Sequence, residues 1–335
     1  MPLIPKVGRR KLKIKVLVGS ITLFLWIGVV LHLFPVWWMF TTSIKPYGEV
    51  FQFPPSLWPH HPTLVCYRLF FFLATGEWGP LLYPVYVYLK NSCIITGATL
   101  AIQIPVTSLL AYAISKLYGP KWNRFLFLYC IGTLMIPASV SLIPSYLIIQ
   151  HFPFPTRYIP NIPFTTIRFP TFNFFNTYWG VILPASYGAF NFLLFKGFFD
   201  GIPDELINAA RLDGASELGI FRRIILPLSK PVFAVTAYFT FSTTWNSFLW
   251  PLMVLQKEDL YPLSVLIYRF QDAIQSGLGQ YGSETISISL KRLLESGMGV
   301  NGIMAISVIE SIPVFIMFII FREQLMKGIK LRGFK

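Results

Sequence analysis

Acidic side chains are scarce: 335 residues hold 14 Asp and Glu against 28 Lys and Arg, and charged residues of both signs make up only 13% of the chain. Soluble domains carry about a quarter of their residues as charge, so this chain lacks the polar coat that a water-facing surface needs. Cysteine is nearly absent. Cys66, Cys93 and Cys130 share no metal-ligand spacing, which excludes a zinc module, and they read as buried, inert thiols, two of them in or beside apolar runs. The four histidines are scattered, and His60-His61 reads as a solvated turn rather than a ligand pair. There is no glycine-rich phosphate loop and no nucleophile–base pair, so the chain itself is expected to hold no catalytic residue, metal or cofactor.

Apolar residues reach 54%, aromatics 17% and mean hydropathy +0.60. That composition predicts an all-α membrane protein. Six runs are long enough to cross about 30 Å of hydrocarbon: 16–43, 91–115, 125–149, 178–195, 228–255 and 300–321. The first follows a basic head, 1–15, but it is too long for a signal peptide and no small-residue cleavage site follows it. The reading is therefore a basic head, a six-span domain over 16–321 and a tail over 322–335.

A net charge of +14 would suggest nucleic acid in a soluble protein, but here topology places it. With both termini cytoplasmic, 19 of the 28 basic residues fall in the shorter inner segments, including Arg9, Arg10, Lys116, Arg211, Arg222 and Arg322. The longer outer segments carry the other nine, as the positive-inside rule requires. No nucleic-acid partner is expected. Segment 65–89 is apolar too, but Arg68 and Glu77 interrupt it, so an interfacial helix and loop is expected there. The long outer loops 150–177 and 256–299 read as irregular or partly helical lids, the second with an amphipathic helix around 260–275.

The inner loop 197–227 reads GFFDGIPDELINAARLDGASELGIFRRIILP. Pro203 suits a first helical turn, and Asp204 and Glu205 complement its positive end. Asp213-Gly214 is a turn dipeptide whose glycine is free to take positive φ. Ser216 can cap a second helix carrying Leu218, Ile220, Phe221, Ile224 and Ile225, and Pro227 is expected to end it. The prediction is a helix–turn–helix between the fourth and fifth spans.

In this loop the chain resembles the inner-membrane permeases of ABC importers, whose signature runs Glu-Ala-Ala, then Asp-Gly-Ala, then Phe, Ile, Pro and Pro. It matches at Ala209, Ala210, Asp213, Gly214, Ala215, Phe221, Ile224, Pro227 and Pro231. Asn208 stands where the family usually has Glu; it can still hydrogen-bond, and Glu205 is near. The resemblance extends to the carbohydrate-uptake branch and its maltose-type second permease through PVWWMFTTSIKP (35–46), YLKNS (88–92), AYAISKL (111–117), IPASVSLIP (136–144), TWNSFLWPL (244–252) and the stretch from 304 to 335.

This resemblance implies a bacterial or archaeal inner-membrane subunit, lining half of a translocation path for a sugar or oligosaccharide. Its implied partners are a second homologous permease, two ATPase subunits that bind the ATP, an external solute-binding protein and the bilayer. The loop would dock the ATPase, with Glu205, Asn208, Ala209, Ala210, Asp213, Gly214, Ala215, Phe221, Arg222 and Pro227 as the coupling residues. Ala209 and Ala210 would face the ATPase cleft, and Asp213 and Arg222 would pair with partner charges. A polyol or glycerol phosphate is the alternative cargo. A secondary transporter would show inverted repeats and more intramembrane charge, and a membrane enzyme would show a clustered catalytic constellation; neither pattern is present.

Three residues inside the spans are candidates for the substrate path. Glu310, in the sixth span, is an intramembrane carboxyl that either faces a cavity or sits protonated at a helix contact. Trp245 and Asn246, in the fifth, suit a sugar's ring face and hydroxyls, and helix–helix hydrogen bonding explains the Asn equally well.

Overall fold

The computed structural model describes residues 12–72, 83–152, 172–275 and 298–331. Among these residues every element is helical, apart from one isolated antiparallel bridge between Phe152 and Phe172. The helices are α1 (Leu12–Ser43), α2 (Tyr47–Val50), α3 (Val65–Phe72), α4 (Val85–Tyr112), α5 (Pro120–Gly132), α6 (Ala138–Gln150), α7 (Tyr178–Ile182) and α8 (Ala189–Phe199). They continue as α9 (Asp204–Leu212), α10 (Glu217–Ile220), α11 (Leu226–Leu228), α12 (Lys230–Trp245), α13 (Leu249–Val254), α14 (Leu263–Gln275) and α15 (Val300–Leu331).

Three helical stretches are long and apolar enough to cross a membrane unbroken: Ile14–Ser43, Val85–Leu117 and Val300–Met326. Proline explains why the others are not. The run at 125–149 is bent by 100° between Pro120–Met135 and Ala138–Gln150. Pro137 lacks an N–H and forces Ile136 into extended backbone, so the helical ladder stops there. The expected single span at 178–195 is α7 and α8, with a 3₁₀ turn at Pro184–Ser186 between them. The expected span at 228–255 is divided as well: it starts at Lys230 after an 84° bend and breaks between Trp245 and Leu249. The sixth run does not end at Phe321, because α15 continues through Arg322 to Leu331 and absorbs most of the expected tail.

Two apolar clusters hold the bundle. One joins α3, α4, α7, α14 and α15 through Phe70, Tyr88, Leu263, Phe270 and Ile306. The other joins α8, α9 and α10 through Phe192, Phe195, Phe199, Ile207 and Ile220. Helix α1 packs chiefly on α15 and leaves Phe24, Trp26 and Leu31 exposed, an apolar surface that water would not tolerate over this area.

Segment 65–89 opens with the short helix α3, whose Cys66 and Phe70 are buried in the first cluster, and α4 begins at Val85, before the expected end of the loop. Glu77 lies outside the described residues. In 256–299 the expected amphipathic helix forms as α14, which packs against α4 and α15; residues 276–297 lie outside the described residues. Most of loop 150–177 lies outside the described residues.

Buried polar side chains fasten the helices at the end of the bundle away from the 197–227 hairpin. Asn91 donates to the carbonyls of Asp259 (2.7 Å) and Tyr261 (3.0 Å) and accepts from the Tyr178 hydroxyl (2.7 Å). The Ser92 hydroxyl accepts from the Leu263 N–H at 2.8 Å, at the first residue of α14. Asn176, at φ 58°, accepts from the amides of Gln256 and Lys257. Deeper in the bundle, Asn191 donates to Gln103 and Thr240, linking α8, α4 and α12. Gly180 is enclosed in this region: a Cβ there would lie 2.4 Å from the Phe174 carbonyl and 2.8 Å from Val254. Gly180→Ala should therefore cost about 1–3 kcal/mol by overpacking. A thermal melt in detergent would show the loss, and an unchanged midpoint would refute the tight contact.

His60 is not merely solvated. Its amide (3.0 Å) and ring Nδ1 (2.9 Å) reach the buried Glu49 carboxyl, which also accepts from the Ser56 hydroxyl (2.7 Å). Burial alone would push that carboxyl up, but these hydrogen bonds outweigh it and hold its pKa at about 2. Lys45 beside it is buried, donates to the Ser56 carbonyl and lies 4.4 Å from the Trp38 ring. The cysteines divide: Cys66 and Cys130 are buried, and Cys93 is exposed on α4.

Candidate functional site

The 197–227 loop folds as two short helices about a tight turn. Pro203 stands one residue before α9, with Asp204 and Glu205 in its first turn. The helix stops at Leu212, and Asp213 is its C-cap, as the turn dipeptide requires. Gly214 follows at φ +80°, a conformation that costs glycine nothing and a side chain about 1–3 kcal/mol. The Ala215 N–H bonds to the Ala210 carbonyl and the Gly214 N–H to that of Arg211, both at 3.0 Å. This paired closure is the Schellman arrangement, which satisfies carbonyls the helix end would otherwise leave unpaired. The Ser216 hydroxyl then accepts from the Gly219 N–H at 3.2 Å and starts α10. Pro227 does not end the second helix. It lies inside α11, and the chain turns into α12 only after Ser229.

The side chains divide into an inner and an outer set. Ile207, Ile220, Phe221 and Ile225 are buried, and Phe221 packs on Tyr112 with ring centroids 5.5 Å apart. Phe221 is thus part of the hairpin's support. Ala210 and Ala215 are half-buried against the same cluster, whereas Glu205, Asn208, Ala209, Asp213, Gly214 and Arg222 are exposed. The two alanines therefore do not share one outward face: Ala209 points out and Ala210 packs inward. Leu218, expected among the apolar contacts of the second helix, is 67% exposed, and Leu212 at the tip is 89% exposed. Leu206 completes an outward apolar set that water alone would not favour.

Ionic contacts tie the hairpin to the rest of the molecule. Arg211 Nε donates to Glu217 Oε1 (2.7 Å) across the turn, Nη1 donates to Asn208 Oδ1 (3.2 Å) and Nη2 to the Lys116 carbonyl (3.2 Å). The other Glu217 oxygen accepts from the Tyr112 hydroxyl at 2.7 Å. The Arg211 guanidinium holds the Glu217 carboxyl below its ordinary range and is itself pushed up by it. Lys116 Nζ donates to Asp204 (2.6 Å) and to the Ile202 carbonyl (2.7 Å). Lys196 pairs with Asp200 at 2.8 Å, and Ser115 donates to the same carboxylate. Tyr112, Leu212 and Glu217 were not among the residues singled out from sequence, and Lys116 and Arg211 were counted only for their charge. One signal was available: Arg211 and Glu217 lie three residues either side of Gly214, so they face each other once that turn is placed.

Asn246 and Glu310 come together on one cavity of about 470 Å³ between α12, α14 and α15. Ser264, Tyr268, Gln271 and Asp272 of α14 and Phe248 complete its wall with Ile267. The α14 residues recur every three to four positions, so one stripe faces the cavity while Leu263, Leu266 and Phe270 pack into the core. Phe248 and Tyr268 stack with centroids 4.9 Å apart and planes at 21°. Asn246 donates to the Ser242 carbonyl (2.8 Å), leaving its own oxygen available. Trp245 lies behind the wall. It is buried, stacks on Phe241, and its indole N–H donates to the Glu310 carbonyl at 3.0 Å.

Comparison with known proteins identifies the family. Residues 103–330 match the family model described as binding-protein-dependent transport system inner membrane component. The arabinooligosaccharides transport system permease protein AraQ of Bacillus subtilis is 26% identical over 94% of this chain and 95% of its own length. The sn-glycerol-3-phosphate transport system permease protein UgpE of Salmonella typhi is 31% identical over 70% of this chain and 75% of its own. A chain in the crystal structure of a bacterial ABC transporter involved in import of the acidic polysaccharide alginate shares the fold, with TM-score 0.70 at 20% identity over 93% of this chain and 98% of that one.

Proposed function

The chain belongs to the binding-protein-dependent transport system inner membrane components, and from that premise we propose that it carries a sugar or oligosaccharide through one half of an importer's path. It is a permease subunit of an ABC importer, a multi-pass membrane protein and a transport component rather than an enzyme. In this reading the three unbroken helices, the two bent pairs and the α7–α8 pair together make six crossings, with both termini and the 197–227 hairpin cytoplasmic. A second permease closes the other side of the path, two ATPase subunits hydrolyse ATP, and an extracytoplasmic binding protein delivers the cargo. The hairpin docks the ATPase and passes its closure to the spans.

The observation that carries this reading is the hairpin itself: a Schellman-closed turn presenting Leu212 to solvent on a base fixed by salt bridges. A solvent-facing leucine on a braced tip suits a protein cleft better than water. The favoured cargo follows the arabinooligosaccharide relative, with glycerol phosphate as the second reading because of the UgpE relative.

Two measurements test the proposal together. In intact cells a cysteine replacing His61 should react with a membrane-impermeant thiol reagent, and one replacing Gly214 should react only after the membrane is opened. A cytoplasmic ATPase subunit should copurify with the chain from its native membranes. Labelling of position 214 from outside would reverse the orientation, and failure of any ATPase to copurify would remove the coupling role.

A further inference from the structure

The cavity between α12, α14 and α15 has chemistry that the hairpin and the family do not explain. Its lining combines a stacked aromatic pair, Phe248 and Tyr268, with two amides, Asn246 and Gln271, and two carboxyls, Glu310 and Asp272. No Lys, Arg or His lines it among the described residues. The Glu310 side chain is half-buried on this wall and has no hydrogen-bond or ion-pair partner among them. Asp272 is engaged by an interaction of its own, so the charge argument rests on Glu310.

Each group has a consequence for a ligand. A flat aromatic face takes the apolar face of a saccharide ring, and amide and carboxyl oxygens take its hydroxyls. A phosphate or uronate would meet two carboxyls and, among the described lining residues, no cation to receive it. Protonated or ionised, Glu310 offers an anion no counter-charge. A volume of about 470 Å³ lies within the range of small-ligand sites.

We infer that this cavity selects by charge: it holds an uncharged saccharide ring against Phe248 and Tyr268, with hydroxyls on Asn246, Gln271 and Glu310, and it turns away phosphorylated and acidic sugars. The inference rests on the permease reading and deepens it, separating this chain from relatives named for glycerol phosphate and from the alginate importer that shares its fold.

The test reads the cavity directly, in the assembled importer with its ATPase and partner permease. Cys93, the exposed native thiol, is replaced by Ser, and a single cysteine is placed at Ile267, with Ser264→Cys as a second position should the first assemble poorly, so that Asn246, Gln271 and Glu310 keep their side chains. The thiol is titrated with a cationic (trimethylammonium-ethyl) and an anionic (sulfonato-ethyl) methanethiosulfonate. Relative to a small thiol in solution, the cationic reagent should be favoured about tenfold or more, the scale of focusing in a cleft of one charge sign. Adding Glu310→Gln should reduce that preference severalfold. Arabinotriose or maltotriose should slow labelling, and sn-glycerol 3-phosphate or a guluronate trimer at the same concentration should not. A solution-like ratio, a preference for the anionic reagent, or protection by the anions would overturn the inference. These outcomes are independent of ATP coupling: ATPase copurification tests the permease reading, while reagent charge tests the cavity.

Discussion

Replacing Leu212 with Asp and Ala209 with Trp together should strip the ATPase from the purified importer and abolish uptake, while the permease still inserts in the membrane. Leu212 is 89% exposed at the hairpin tip and Ala209 is exposed one turn before it, so neither contributes to the chain's own core. If the tip is buried in an ATPase cleft, losing the leucine forfeits about 1.5–3 kcal/mol, roughly 10- to 150-fold in affinity. The introduced carboxylate adds a desolvation cost, and the indole holds the surfaces apart. The position of Ala210 supplies the control. Because it packs inward against the cluster of Ile207 and Ile220, Ala210→Trp should lower the thermal midpoint before it affects docking. Copurification of the ATPase and the melt, measured on the same preparations, separate the two effects. Stoichiometric ATPase bound to the Leu212/Ala209 variant would end the assignment of this surface.

How much of this was legible in the sequence depends on what each signal measures. Hydropathy located the apolar runs, because the cost of exposing a long apolar segment to water does not depend on tertiary detail. It could not locate breaks. The interruptions at Ile136-Pro137 and around Pro184 follow from local backbone chemistry inside runs that look continuous by composition. The 246–248 break precedes Pro251, which has no N–H for the Ser247 carbonyl; the Ser264 hydroxyl donates to that carbonyl instead, at 2.8 Å. The hairpin was read well because its residues are constrained individually: glycine for positive φ, serine for a cap, proline before α9. Its directions were not readable. Ala209 and Ala210 are adjacent and identical in chemistry, and only the packing of Ile207 and Ile220 decides which one turns in. Likewise α14 gave the amphipathic period from sequence, but not that its polar stripe would meet Asn246 and Glu310, 18 positions before it and 38 after it.

The last expected result concerns transmission rather than docking. Tyr112→Phe combined with Glu217→Gln should leave the ATPase bound, yet lower uptake on the order of tenfold and make ATP hydrolysis insensitive to the loaded binding protein, within the usual range of a coupling free energy. Glu217 is the junction: one oxygen receives Arg211 across the turn and the other receives the Tyr112 hydroxyl at the end of α4, each at 2.7 Å. A third tie runs from Arg211 to the Lys116 carbonyl, in the π-helical turn that extends α4. The Arg211–Glu217 pair is partly exposed, so it contributes little to stability, and the double variant should melt near the wild-type temperature. Tyr112→Phe also keeps the ring contact with Phe221, so the core beneath the hairpin stays filled. What is lost is the rigid connection through which a displaced hairpin would pull the span. Gly214→Val attacks the same linkage from the backbone, since a β-branched side chain at φ +80° must open the turn that sets Arg211 opposite Glu217. Both variants should therefore share one phenotype: ATPase retained, hydrolysis no longer stimulated, uptake reduced. Wild-type uptake by both would mean that closure of the ATPase reaches the spans by another route, with Lys116–Asp204 and Lys196–Asp200 as the remaining connections to remove.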